Sequence, residues 1–174
     1  MDDDKITDDE IDALDGVDLL ELGQKFLDNG DGQRALKCFL RAGEPDKSVF
    51  SRLMGLSIAA EIYRNGLGGV PVDGRKALNY YKRIVKTIFG TLDIDSLDED
   101  EKFKRILADG QNGNFAFEAL GEIETMYGYG EAGVRCDDYK ALHFAIMAFY
   151  VGHGYLDDEN YRSWRRKNDE RTTD

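Results

Sequence analysis

The sequence predicts an all-α protein, built as a short α-solenoid of antiparallel helix pairs. Two segments that lie 64 residues apart agree at many positions without a gap, which indicates an internal repeat. Apolar residues recur at helical spacing along most of the chain, and no stretch alternates in the manner of a strand. With 174 residues, the chain is long enough for one compact domain or one short solenoid.

The helical periodicity predicts eight helices, separated by turns that are rich in glycine. They lie near residues 18–29, 33–42, 48–65, 74–88, 97–109, 114–128, 138–151 and 158–169. We expect three parts along the chain: an acidic N-terminal segment at 1–17, a helical repeat domain at 18–152, and a C-terminal capping helix and tail at 153–174. In the N-terminal segment, Thr7 and Glu10 suit a capping box for one short helix, whereas the charge density equally suits disorder.

Each residue that the two repeated segments share has a structural role. Residues 63–78 read YRNGLGGVPVDGRKAL, and residues 127–142 read YGYGEAGVRCDDYKAL. The first shared glycine can take the left-handed conformation that ends a helix, and the aspartate lies where the next helix needs an N-cap. The alanine is small where two helices approach, and the leucine lies beside it. These pairs are Gly66 and Gly130, Asp73 and Asp137, Ala77 and Ala141, and Leu78 and Leu142.

This pattern, YxxGxxGVxxDxxKAL, resembles the Sel-one-like repeat, a relative of the tetratricopeptide repeat, with one extra residue before the valine. The likeness extends toward the N-terminus, where residues between Leu19 and Ala42 follow the tetratricopeptide spacing around a shorter turn. The resemblance implies a right-handed solenoid of about three repeats, in which the first helix of each pair lines a concave face. The repeats lie near 19–42, 53–84 and 117–148, with an insertion at 85–112.

The resemblance also indicates which residues would contact a partner. In this class, functional residues usually lie on the concave face, at positions that the core leaves free. A plain solvent-exposed face is an equally good interpretation of any one of them. Carried over copy by copy, these positions are Gln24, Asp28, Ser57, Glu61, Arg64, Asn65, Glu118, Thr125 and Tyr129.

Two segments outside the copies predict additional helices. In the insertion at 85–112, Ser96 and Glu99 fit a capping box, and the helix that follows would cover the seam between the second and third copies. The C-terminal segment carries Tyr161 and Trp164 among several basic residues. Because the end of a solenoid needs a cap with one apolar and one polar face, this segment suits that role.

The charge of the chain narrows the class of partner. The net charge is -12, and residues 1–18 carry nine acidic side chains against the single Lys5. Nucleic acids and anionic membranes would repel such a surface, whereas a basic protein or peptide would be attracted. No apolar run approaches the length of a membrane span, and the acidic N-terminus is unlike a secretory signal, so we expect a cytoplasmic protein.

The sequence offers little for catalysis, and we expect neither an enzyme nor a cofactor or metal site. His143 and His153 lie ten residues apart, outside any metal-binding spacing. Cys38 and Cys136 are far apart with no nearby histidine, and we expect two buried thiols. The acidic run at 93–101 lacks the central glycine and closing glutamate of a calcium loop.

Two function classes fit these observations. The first is a non-catalytic adaptor or scaffold that binds a protein or peptide on the concave face, with the acidic surface attracting a basic partner. The alternative is an acidic inhibitor, decoy or immunity-type protein that blocks a basic nucleic-acid-binding or toxin enzyme by presenting carboxylates in place of phosphates. Self-association is a separate possibility, since short solenoids often expose an uncapped end.

Overall fold

The computed structural model describes residues 6–89 and 113–153. In these ranges all regular structure is helical. The α-helices are α1 (Asp8–Ala13), α2 (Gly16–Asp28), α3 (Gly32–Ala42), α4 (Val49–Asn65), α5 (Gly74–Phe89), α6 (Gly113–Tyr129) and α7 (Asp138–His153), and two 3-10 turns lie at Leu67–Gly69 and Glu131–Gly133. The predictions for α2 to α7 are confirmed. The helices predicted at 97–109 and 158–169 lie outside the described residues, as do residues 1–5.

The helices pack as successive pairs along the chain. Helix α2 packs on α3, α4 on α5, and α6 on α7, while the contacts of α3 with α4 and of α5 with α6 join each pair to the next. This arrangement confirms the predicted fold class, a helical repeat solenoid. The handedness of the solenoid and the antiparallel orientation within its pairs stay predictions.

The shared residues of the repeat form the turn between the two helices of a pair. Gly66 and Gly130 end α4 and α6 in the left-handed conformation, each at a φ of 70°. The side chains of Asp73 and Asp137 then accept from backbone N–H groups three residues later, both at 3.0 Å. Asp31 does the same at the start of α3, at 3.0 Å. The predicted helix ends and N-caps are therefore confirmed.

Two hydrophobic clusters fill the interior. The first lies among α1 to α4 and the second among α4 to α7, so that α4 contributes to both. Ile11 of α1 is 1% exposed within the first cluster, and Thr7 and Glu10 form the capping box at the start of this helix. Of the two alternatives for the N-terminal segment, the short helix is the one that residues 8–13 adopt.

A glycine at the start of the second helix of a copy allows the turn of the next copy to pack closely against it. A Cβ atom on Gly32 would lie 2.6 Å from the carbonyl oxygen of Leu67, in the turn of the second copy. A Cβ atom on Gly74 would lie 2.6 Å from the carbonyl oxygen of Ala132, in the turn of the third copy. Both distances are far below a van der Waals contact, so only glycine permits the observed approach. We call Gly32 and Gly74 the latch glycines.

Candidate functional site

A group of charged side chains lies where α4 of the second copy meets α6 and the turn of the third. Arg64, near the end of α4, donates from Nε to a carboxylate oxygen of Glu131 at 2.7 Å. Its guanidinium also donates to Glu122 of α6. One arginine thus joins two copies through a helix and a turn. We call the set Glu61, Arg64, Glu118, Glu122 and Glu131 the charged seam.

Carboxylates outnumber cations in the charged seam. Four carboxylates accompany one guanidinium, which leaves an excess of three negative charges. Burial first, and then the charges of Glu122 and Glu118, raise the pKa of Glu61, although Arg64 acts in the opposite direction. The raised pKa of Glu61 therefore reflects its burial first, and then the neighbouring carboxylates, which Arg64 offsets only in part.

Arg64 itself is held in its charged form. Its side chain is 16% exposed, and burial would by itself lower its pKa. The hydrogen bond to Glu131 and the charges of Glu122 and Glu131 outweigh that burial and raise the pKa of Arg64. Because its donors are already directed at these two carboxylates, Arg64 does not compensate Glu61 and Glu118 fully.

The hydroxyl of Tyr81 borders the same group. Tyr81 is 2% exposed, and among the described residues its hydroxyl has no hydrogen-bond partner, since Arg64 approaches without meeting hydrogen-bond geometry. Burial first, and then the negative charge of Glu122, raise the pKa of Tyr81 to about 12. The hydroxyl is therefore neutral and retains its capacity to donate or accept beside the carboxylates.

The structure brings three of the nine predicted contact residues into this group, namely Glu61, Arg64 and Glu118. The other six have different surroundings. The side chain of Gln24 donates to Asp28 at 2.7 Å, the hydroxyl of Thr125 donates to the backbone of its own helix at 2.9 Å, and Tyr129 is 78% exposed. Ser57 is half-buried and Asn65 is exposed.

Sequence reasoning missed Glu122, Glu131 and Tyr81. Glu122 follows Glu118 by four residues, so the helical period alone places both on one face of α6, and that signal was available. Glu131 lies in a turn and Tyr81 on the second helix of its pair. Their approach to Arg64 depends on how the copies stack, which periodicity does not reveal.

The contact between the first and second copies has different side chains at the positions that correspond to the charged seam. We aligned α2 with α4 by their C-terminal ends, and the second copy with the third by their repeated segments. In this alignment, every member of the charged seam corresponds to a neutral residue. We call this set the apolar seam: Gln24, Leu27, Met54, Ile58 and Leu67. Leu27 and Ile58 pack against the first hydrophobic cluster. Helix α2 contacts both α4 and the turn that contains Leu67.

A second surface feature is a cavity of about 680 Å³ between α5 and the turn of the third copy. Arg75, Arg135 and Lys140 line it together with Cys136. Cys136 is exposed, so the expectation of two buried thiols was wrong for this residue, because it lies in the turn outside the helix contacts. Cys38 is buried, and that burial raises the pKa of its thiol to about 11.

Within residues 6–89 and 113–153, no group of three or more potential ligands is placed to hold a metal ion. Over the same ranges, none of the helices combines the length and apolar character that a membrane crossing needs.

The stacked helix pairs define an all-helical repeat protein, and comparison with known families narrows the class. The Sel1 repeat matches residues 16–44, 53–85 and 119–153, which together make up more than half of the chain. The chain therefore belongs to the Sel1 repeat family, whose repeats generally mediate protein–protein interaction. Neither the curated proteins nor the solved structures contain a match.

Proposed function

We propose that this protein is a non-catalytic interaction module that binds a basic segment of another protein at the charged seam. The observation that carries the proposal is the excess of carboxylates around Arg64. A partner that brings lysine or arginine side chains would neutralise Glu61, which shares Arg64 with Glu122 and Glu131, and Glu118, whose charge acts on Glu61. This excess favours a cationic ligand over an anionic or neutral one.

The internal comparison supports a role beyond folding for these charges. At the apolar seam, leucine and isoleucine side chains pack against the first hydrophobic cluster in the same architecture. The stacking of copies therefore does not require charged side chains at these positions. Partly buried ion pairs contribute little net stability compared with apolar packing, so stability is a weak reason for placing them here.

Tyr81 adds a feature that suits a cationic ligand. Its hydroxyl is buried beside Arg64, so it would accept a hydrogen bond from an ammonium or guanidinium group of a ligand that displaces the Arg64 guanidinium. A buried polar group without a partner costs free energy, and a ligand that satisfies it recovers that cost. We infer that Glu61 and Glu118 would attract the ligand and that Tyr81 would help to orient its cationic group.

The experiment is a fluorescence anisotropy titration with a labelled peptide of alternating arginine and serine. We expect the protein to bind this probe at low salt and to bind less tightly at physiological salt, because exposed charges are screened. Replacing Glu61→Gln and Glu118→Gln together should weaken binding roughly tenfold, which corresponds to about 1.4 kcal/mol.

The matched control removes two carboxylates elsewhere, with Asp9→Asn and Glu21→Gln, both at exposed positions of α1 and α2. This double variant has the same net charge as the seam variant, so general electrostatic attraction falls equally in the two. We expect it to bind within about twofold of the unaltered protein, since distant charges are largely screened. Equal losses in the two variants would overturn the seam as the site and favour the acidic decoy, in which overall charge decides binding.

A further inference from the structure

The cavity of about 680 Å³ beside the turn of the third copy has a basic lining in a strongly acidic protein. Three cationic side chains line it from three parts of the chain: Arg75 from α5, Arg135 from the turn and Lys140 from α7. The whole chain has a net charge of -12. The overall composition therefore does not account for a cluster of positive charges at this place.

The one acidic residue of this lining is already engaged by the lysine. A carboxylate oxygen of Asp137 accepts from the backbone N–H of Lys140 at 3.0 Å, and its other oxygen lies 3.5 Å from Nζ of the same lysine. Arg75 and Arg135 are exposed, and within the described residues neither guanidinium has an ion-pair or hydrogen-bond partner. Three positive charges and one negative charge leave a net charge of +2, which the two arginines carry.

The corresponding place between the first and second copies has the same architecture without the arginines. A Cβ atom on either latch glycine would lie 2.8 Å from a valine Cγ2 atom of the following turn. The lysine and the aspartate are common to both places, since Nζ of Lys76 lies 3.7 Å from Asp73. Neutral Gln33 and Pro71 correspond to the two arginines. The stacking of copies therefore does not require the arginines, which leaves a ligand as a reason for them.

We propose that this cavity binds a small molecule that carries a phosphate monoester. Such a group has a charge of about -1.5 to -2 at neutral pH, which matches the net charge of the lining. Its three terminal oxygens can accept hydrogen bonds from the three basic residues, and guanidinium groups suit phosphate because they donate in pairs. A carboxylate or a phosphate diester, each with one negative charge, would leave the lining only partly neutralised.

The size of the cavity favours a small molecule over an extended polyanion. Cavities of roughly 300–1,000 Å³ are typical of small-molecule sites. Leu78 and Tyr127 add apolar and aromatic surface to the lining, which suits an organic body behind the phosphate. A nucleic acid or an anionic membrane would be repelled by the net charge of the whole chain. This ligand is opposite in charge to the one proposed for the charged seam, and the two proposals are independent.

The experiment uses Cys136, which is exposed in the same cavity, as a reporter for its occupation. Cys38 is buried, with the pKa of its thiol raised to about 11, and should stay unmodified in the folded protein. We expect phenyl phosphate to slow the alkylation of Cys136 by iodoacetamide about fivefold or more, because a bound anion shields the thiol and disfavours its thiolate. Mass spectrometry of the intact protein measures the rate. Half-maximal protection should require roughly 1 mM or less.

Two further probes, at matched ionic strength, test the phosphate monoester itself. Inorganic phosphate lacks the organic body, and phenylacetate has a single negative charge, so each should need a roughly tenfold higher concentration than phenyl phosphate. Protection by either probe at the same concentration as phenyl phosphate would overturn the proposal, as would the absence of protection by phenyl phosphate. A phosphotyrosine peptide that protects at a roughly tenfold lower concentration would also overturn it, because the ligand would then be a phosphorylated protein.

Substitution of the arginines tests the position of the site. Arg75→Gln with Arg135→Gln should abolish protection by phenyl phosphate. The matched control, Lys25→Gln with Lys86→Gln, makes the same change in net charge at exposed positions of α2 and α5 and should retain protection within about twofold. Each variant is compared with and without phenyl phosphate, and circular dichroism should show native helix content in both. Protection that survives the loss of both arginines, or that the two double variants lose equally, would overturn the site.

Discussion

The two seams of this solenoid join the same kind of helix pair with opposite chemistry. The apolar seam has Leu27 and Ile58 packed in the first hydrophobic cluster, and the charged seam has Arg64 and four glutamates between the last two copies. Both seams rely on a latch glycine against the following turn. The glycine and the turn are thus common to both seams, whereas the side chains on the first helices differ, so these side chains can vary without loss of the stacking.

Substitution of the latch glycines should have the largest effect on stability. It tests whether the close approach shared by the two seams maintains the stacking of the copies. Gly74→Ala would force a Cβ atom against the carbonyl oxygen of Ala132. We expect a loss of about 2 kcal/mol or more in the free energy of unfolding, although alanine normally favours a helix over glycine. Gly32→Ala should behave alike. Urea unfolding followed by circular dichroism measures both.

The control for this prediction is Asp138→Ala, at the corresponding position of the third copy. There we expect a change within about 0.5 kcal/mol, as for ordinary surface substitutions, because this residue is exposed. A Gly74→Ala variant as stable as the unaltered protein would show that the turn of the third copy can move away, and that the latch does not fix the stacking.

Converting the charged seam into the apolar one separates stacking from binding. Arg64→Leu alone leaves Glu122 and Glu131 without their cation, and we expect it to cost about 1 kcal/mol. Adding Glu122→Ile and Glu131→Leu, the residues found at the first seam, should return the stability to within about 1 kcal/mol of the original. Double-mutant cycles from urea unfolding measure this coupling. A triple variant less stable than Arg64→Leu would mean that the two seams are not interchangeable.

The smallest effect concerns the pH dependence of stability at the charged seam. Because the pKa of Glu61 is raised in the folded state, its charged form disfavours folding above that pKa, and the penalty disappears as the pH falls below the ordinary value for glutamate. Glu61→Gln should therefore increase stability at neutral pH, within about 0.5 kcal/mol because the group is partly exposed. The gain should vanish in acid. Gln24→Glu, at the apolar seam, is the converse test, because it places a new carboxylate beside Asp28 and should lower stability at neutral pH, with the loss vanishing in acid.

A loss of stability in Glu61→Gln at neutral pH, measured by urea unfolding across the acidic range, would contradict this prediction. It would mean that Arg64 stabilises Glu61 more than the neighbouring carboxylates disfavour it. The charged seam would then be a balanced network, and the reason for expecting a cationic ligand there would be lost.

Much of the candidate site was within reach of the sequence. Glu61, Arg64 and Glu118 were predicted because they occupy positions on the first helices that the core leaves free, and they do lie together. Glu122 could have been added from its spacing to Glu118. Glu131 and Tyr81 could not, because a turn and a second helix bring them to Arg64 only after the copies have stacked.

The sequence by itself determined the repeat, its helices and their ends, because these depend on local chemistry. Gly66 and Gly130 end helices by a backbone conformation that side chains disfavour, and Asp73 and Asp137 cap the next helices through hydrogen bonds three residues away. Only the tertiary structure decided which side chains meet between copies. Contacts such as Arg64 with Glu131 join residues 67 positions apart, and their formation depends on the close approach that the latch glycines allow.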